Sequence, residues 1–129
     1  MGLTDMLQDN VKREQIEDFV QRYDKGKPAD GISDQEAQQQ YDQVAAQLDD
    51  KEFEQSAKES FERLDPQERR EAGQQLGVGE TDDPDELAKA TAKVHKEQPD
   101  LLHDLMSNPA VKGAVAGIAA SAAKRVLKR

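Results

Sequence analysis

Three Asx-Pro pairs, Asp65-Pro66, Asp83-Pro84 and Asn108-Pro109, constrain this chain more than any other feature of its sequence. In each, a side chain able to cap a helix precedes a proline, whose missing N–H is one of the donors that a helix start leaves unpaired. Glu68 and Glu86 then fall at the third helical position, where negative charge meets the positive end of the helix dipole. Ser33-Asp34-Gln35-Glu36 has the spacing of a capping box. Four helix starts are therefore written into the chain.

Hydrophobic periodicity supplies the rest. Ile16, Phe19, Val20 and Tyr23 recur at helical spacing, as do Ala37, Tyr41, Val44, Ala45 and Leu48, and Phe53, Ala57, Phe61 and Leu64. Leu3, Leu7 and Val11 form a further stripe whose phase slips before Ile16, which predicts a bend or break near Lys12. A helix from Pro66 should end at Leu76, before a C-cap Gly77. Leu87, Ala90 and Val94 mark another, stopped by Pro99, and Leu101, Leu102, Leu105 and Met106 a short one closed at Asn108. No run of alternating Val, Ile or Thr reads as a strand. The expected fold is all-α, with about seven short helices. The linkers at 25–32 and 77–83 divide it into a helical core at 1–79, a short helical pair at 80–108 and a basic Gly/Ala-rich tail helix at 109–129.

Charge and apolar content are distributed unevenly. Residues 109–129, PAVKGAVAGIAASAAKRVLKR, hold no acid and carry Lys112, Lys124, Arg125, Lys128 and Arg129. Setting those five cations aside takes the formal charge from −9 for the whole chain to −14 for residues 1–108. Such an acidic body repels nucleic acid and anionic lipid. All five aromatics lie between Phe19 and Phe61, so core material is expected mainly in the first half. The absence of cysteine fits a reducing cytoplasm, and the MGLTDMLQDN start has neither the basic n-region nor the apolar run of a signal peptide. The longest uncharged apolar run, Gly113 to Ala123, would be about 16 Å long as a helix, short of the roughly 30 Å of a bilayer interior.

Few residues mark chemistry. Asp30-Gly31-Ile32 and Glu36 faintly resemble a calcium loop, but Gly26 and Pro28 would occupy the first and third positions, and neither offers a side-chain oxygen. His95 and His103 are the only histidines; eight residues apart with Pro99 between, they do not form the i, i+4 pair of a helical metal site and read as structural. Gln38-Gln39-Gln40 reads as the solvated face of its helix. Gly73, Gly77 and Gly79 lack the Gly-Lys-Ser/Thr of a phosphate loop. No catalytic, cofactor-binding or metal-binding residues are indicated, and the chain is expected not to be an enzyme.

The tail carries the contact signal. Val111, Val115, Ile118, Ala122 and Val126 fall in one arc of a helical wheel, and Gly113, Gly117 and Ser121 line another at four-residue spacing. Small residues at that spacing permit close approach of a second helix. That second helix belongs either to the chain's own domain or to a partner. The terminal cations suit either reading, since positive charge is also favoured at a helix C-terminus.

The stretch GISDQEAQQQYDQVAAQLDDKEFEQSAKESFERLDPQERREAGQQL, together with NPAVKGAVAGIAASAAKRVL, resembles an uncharacterised family of small bacterial helical proteins. In that family an SDEEA-like helix start, a Tyr-x-x-Val segment and a Phe-x-x-Leu-x-Pro-x-Glu-Arg segment precede a Gly/Ala-rich tail. The chain departs from the pattern in GETDDPDELAKATAKVHKEQPD, where a glycine-rich linker would stand. The resemblance implies a helical fold and no particular activity.

The functional expectation is a non-enzymatic, cytoplasmic protein that associates with itself or with another helical protein. Val111, Gly113, Val115, Gly117, Ile118, Ser121, Lys124, Arg125, Lys128 and Arg129 would form the contact. The alternative is peripheral binding of an anionic membrane surface by the same basic tail. Nucleic acid ranks below both, and neither a cofactor nor a small-molecule substrate is indicated.

Overall fold

The computed structural model describes the backbone of residues 3–25 and 32–127, and the side chains within those ranges from Glu14 onward, Asp34 excepted. The described residues form seven α-helices and no strand: α1 (Leu3–Lys25), α2 (Asp34–Ala45), α3 (Asp50–Arg63), α4 (Pro66–Gln75), α5 (Pro84–Glu97), α6 (Pro99–Leu105) and α7 (Pro109–Leu127).

The capping residues act as their sequence position predicts. Asp65 accepts from the Glu68 N–H at 2.8 Å, Asp83 from the Asp85 N–H at 2.9 Å, and Asn108 from the Ala110 N–H at 2.9 Å. Ser33 accepts from the Glu36 N–H at 3.1 Å, while the Glu36 carboxylate reaches Arg22 of α1 at 2.7 Å. The reciprocal capping box closes instead at the start of α3, between Asp49 and Glu52. α1 runs unbroken past Lys12. The phase slip in its stripe does not break it, because no Gly or Pro between residues 3 and 25 interrupts the helical hydrogen bonds.

α7 is the middle of the molecule. It packs most extensively on α3 and α2, then on α1 and α4. From Ala110 to Ala123 every residue except Lys112 is buried. The expected tail is thus the central rod of the core, and one cluster of buried residues joins Phe19, Tyr41 and Phe61 from the first segment to Leu87 and Leu102 from the second and Ile118 from the third. The three sequence segments share that core. Amphipathic helices surround a helix that is apolar on all sides, which is the pattern expected when one helix is enclosed by the others.

Small side chains make this possible. Ser60 of α3 and Leu64 just past its end, both buried, lie against Gly117 and Gly113 of the α7 ridge. The Ser60 hydroxyl donates to the Ala114 carbonyl at 2.7 Å. A Cβ on Gly117 would fall on the Ser60 side chain and within 2.8 Å of the Tyr23 hydroxyl. The expected close approach between helices is therefore realised inside the chain.

The 77–83 linker is a structured elbow. The Val78 N–H donates to the Gly73 carbonyl at 3.0 Å and the Gly77 N–H to the Gln74 carbonyl at 3.2 Å, with Gly77 at φ 84°. These two bonds form a Schellman motif that closes α4 after Leu76. Thr81 donates to Glu86 at 2.7 Å and Gln74 to Glu80 at 2.6 Å, tying the elbow to the helices on both sides.

Candidate functional site

The contact residues expected from the sequence lie within the chain's own packing. Val111, Gly113, Val115, Gly117, Ile118 and Ser121 are all buried. Lys124 reaches Asp24 of α1 at 3.1 Å, and Arg125 bonds Ser56 at 3.0 Å and Glu59 at 2.6 Å on α3. Lys128 and Arg129 lie outside the described residues, as do residues 26–31, the first half of the faint calcium loop. In this packed state α7 offers neither its small-residue ridge nor its apolar stripe to a partner helix or a lipid surface. No helix among the described residues is long and apolar enough to cross a membrane.

Two other places stand out. The first is a polar cluster that fastens α5 and α6 onto α2. Tyr41 is buried, and its hydroxyl is hydrogen-bonded to Nδ1 of His95 across 2.6 Å. Burial pushes the Tyr41 phenol far above its ordinary range, with the nearby Asp42 charge adding to the effect, so the hydroxyl keeps its proton. The His95 ring stacks on Phe53 of α3, centroids 4.5 Å apart, and meets Tyr41 edge-on. Burial holds the His95 imidazole below its usual range, while Asp42 and Asp50 pull weakly the other way. The neutral imidazole is the form that can accept the Tyr41 proton.

His103 on α6 completes the cluster. The Gln38 amide donates to its Nδ1 at 2.8 Å, so its Nε2 carries the hydrogen and faces Asp42 at 3.3 Å. Both histidines thus converge on one turn of α2, although they cannot share a face of their own helices. This explains why the glutamine run is not a solvated face: Gln38 is half-buried on His103, Gln40 is buried, and only Gln39 is exposed. A small pocket of about 40 Å³ adjoins His95, lined by Leu48, Asp50, Phe53, Ala92 and Lys96 among others. Its chemistry is limited. A tyrosine kept protonated and an imidazole already accepting a hydrogen bond make no activated nucleophile, and no group of three metal-ligating side chains occurs among the described residues.

The second place is the elbow itself. Val78 is 44% exposed, the exposed large apolar side chain among the described residues. Its position follows from the Schellman motif. An apolar residue there usually rests on the side chain three positions from the helix end. Here that position is Gly73, whose absent Cβ is occupied by the Gly79 carbonyl. Val78 therefore stands without a side chain at Gly73 beneath it and lines a groove of about 220 Å³ with Leu76, Ala90, Val94 and Leu101, and with Lys93 and Glu97 of α5. In the sequence 77–83 reads as a C-cap glycine and a linker, with no exposed contact expected at Val78. The available signal was a valine between two glycines in an otherwise polar linker.

No family model matches this chain, and neither the curated proteins nor the solved structures include a significant match.

Proposed function

We propose that this protein is a non-enzymatic helical module that binds a basic amphipathic segment of a partner protein in the groove between the α4–α5 elbow and the α5–α6 pair. The carrying observation is Val78, held out of the core by backbone packing at Gly73 and set beside Leu76, Val94 and Leu101. An exposed apolar side chain continuous with the partly buried apolar lining of a groove marks an interaction site more reliably than a single one isolated on a polar surface. Charge favours a basic occupant over a second copy. Two chains of formal charge −9 repel one another, whereas a cationic segment is attracted to the acidic surface while its apolar face fills the groove. This reading keeps association as the activity and moves the contact from α7 to the elbow.

A labelled Leu/Lys amphipathic helical peptide is the probe, followed by fluorescence anisotropy. Val78→Ser and Leu101→Ser leave net charge unchanged and remove only apolar contact. Each should weaken binding by about tenfold, the equivalent of about 1.4 kcal/mol, with unaltered circular dichroism. Equal affinity of the wild-type chain and both variants would assign binding to diffuse electrostatics and overturn the groove. A dimer of the free protein that dissociates on Val78→Ser would overturn the choice of partner.

A further inference from the structure

We propose that the contacts of His95 and His103 with α2 form a pH-responsive clasp, in which protonation of His95 frees the last turns of α5 while His103 keeps α6 attached. The consequence for the groove, of which Val94 and Glu97 line one wall, rests on the docking reading above. The clasp itself can be tested without any partner.

The two imidazoles hold α2 through separate contacts. With the ring neutral and its hydrogen on Nε2, His95 Nδ1 accepts from the Tyr41 hydroxyl 2.6 Å away. A proton on Nδ1 turns acceptor into donor, and the Tyr41 hydrogen must then find another acceptor around a side chain only 3% exposed. An unsatisfied buried donor is costly, so the contact opens more readily than it rearranges. His103 behaves differently. Its Nε2 donates toward Asp42 and its Nδ1 accepts from the Gln38 amide, so its two contacts with α2 do not pass through the Tyr41–His95 bond.

The charges around His95 do not remove this asymmetry. From α2 it faces Asp42, which His103 engages on its other side; from α3 it faces Asp50, which is in ion-pair contact with Lys96 of α5. Both carboxylates are thus shared with a second cation or donor. Phe53 contributes a ring face and no acceptor. The ring nearest the end of α5 therefore takes up a proton against its surroundings.

Amide hydrogen exchange of the intact chain, corrected for the intrinsic pH dependence of exchange, reads the clasp directly. Between pH 7.5 and pH 5.5, residues 93–98 should lose protection about tenfold or more, while residues 101–105 keep theirs. His95→Phe, which retains the stack on Phe53 and does not titrate, should remove that pH dependence whatever its overall protection. Tyr41→Phe, which leaves His95 titratable but without the bond to be reversed, should shrink it. An undiminished pH response in both variants would assign the loosening to carboxylates and overturn the proposal. So would uniform protection of 93–98 in the wild-type chain across a pH range in which the His95 ring resonances show it becoming protonated.

Discussion

Gly117 of α7 and Ser60 of α3 occupy each other's space: the Cβ that Gly117 lacks would fall on the Ser60 side chain, whose hydroxyl is held by the Ala114 carbonyl at 2.7 Å. The helices meet at backbone distance here, and the serine hydroxyl fastens α3 to the exposed side of an α7 carbonyl. A glycine inside a helix costs about 1 kcal/mol relative to alanine. Close packing against α3 offsets that cost at Gly117.

The two α7 glycines should therefore respond in opposite directions to alanine. Gly117→Ala overpacks Ser60 and the Tyr23 hydroxyl and should lower stability by about 1–3 kcal/mol in spite of its better helix propensity. At Gly113 the nearest atom to a new Cβ is Leu64 Cδ2 at 3.3 Å, the end of a side chain that can yield. Gly113→Ala should be neutral or stabilising by up to about 1 kcal/mol. In a Ser60→Gly background the cost of Gly117→Ala should shrink, as measured by urea unfolding of the four chains. Equal destabilisation by both alanines would show that the α3–α7 approach is looser than described.

Much of this arrangement was legible in the sequence. Asp65, Asp83 and Asn108 cap as their Asx-Pro context requires, and the stripes led by Phe19, Tyr41 and Phe53 are the core faces of α1, α2 and α3. These are local properties, set by helix termini and 3.6-residue periodicity. The Gly113, Gly117, Ser121 ridge likewise announced a close helix approach, but ridge spacing does not say whose helix fills it. Tyr41 with His95 and Gln38 with His103 were hidden for a related reason. They are separated by 54 and 65 residues, and no local pattern registers such pairs. The one usable hint was chemical: a tyrosine on a buried stripe needs a partner for its hydroxyl, and the chain offers two histidines.

The His95 environment has a consequence for global stability. Burial depresses its folded-state pKa below the unfolded value near 6.5, so between these two values the unfolded chain binds more protons than the folded one. The stabilisation due to neutral His95 is therefore present above about pH 6.5 and is lost as pH falls through the folded value. In chemical unfolding, wild-type stability should drop between pH 7 and pH 5.5 more steeply than that of His95→Phe. The variant is expected to be less stable at pH 7.5, because Tyr41 loses its acceptor, and the comparison is one of slopes. Parallel slopes would mean that His95 titrates alike in both states.

Removing α7 discriminates most sharply between a central rod and an appended contact helix. Val111, Val115 and Ile118 are buried in α7 along with seven alanines. Full burial of a Val or Ile side chain contributes about 1.5–3 kcal/mol, so these three residues alone supply much of the roughly 5–15 kcal/mol that holds a domain folded. Without α7, the inward faces of α1, α2, α3 and α4 would confront a channel with nothing to fill it, and Ser60 and Arg125's partner Ser56 would lose their bonds. A chain ending at Asn108 should therefore lack a cooperative thermal transition and show reduced helicity, with exposed apolar surface that binds a hydrophobic dye. Adding residues 109–129 back as a separate peptide should restore helicity in proportion to peptide concentration, because the groove left among the four helices has no other ligand of that shape. A truncated chain that melts cooperatively near the full-length midpoint would show that the outer helices close on themselves, and would return α7 to the role of a detachable contact element.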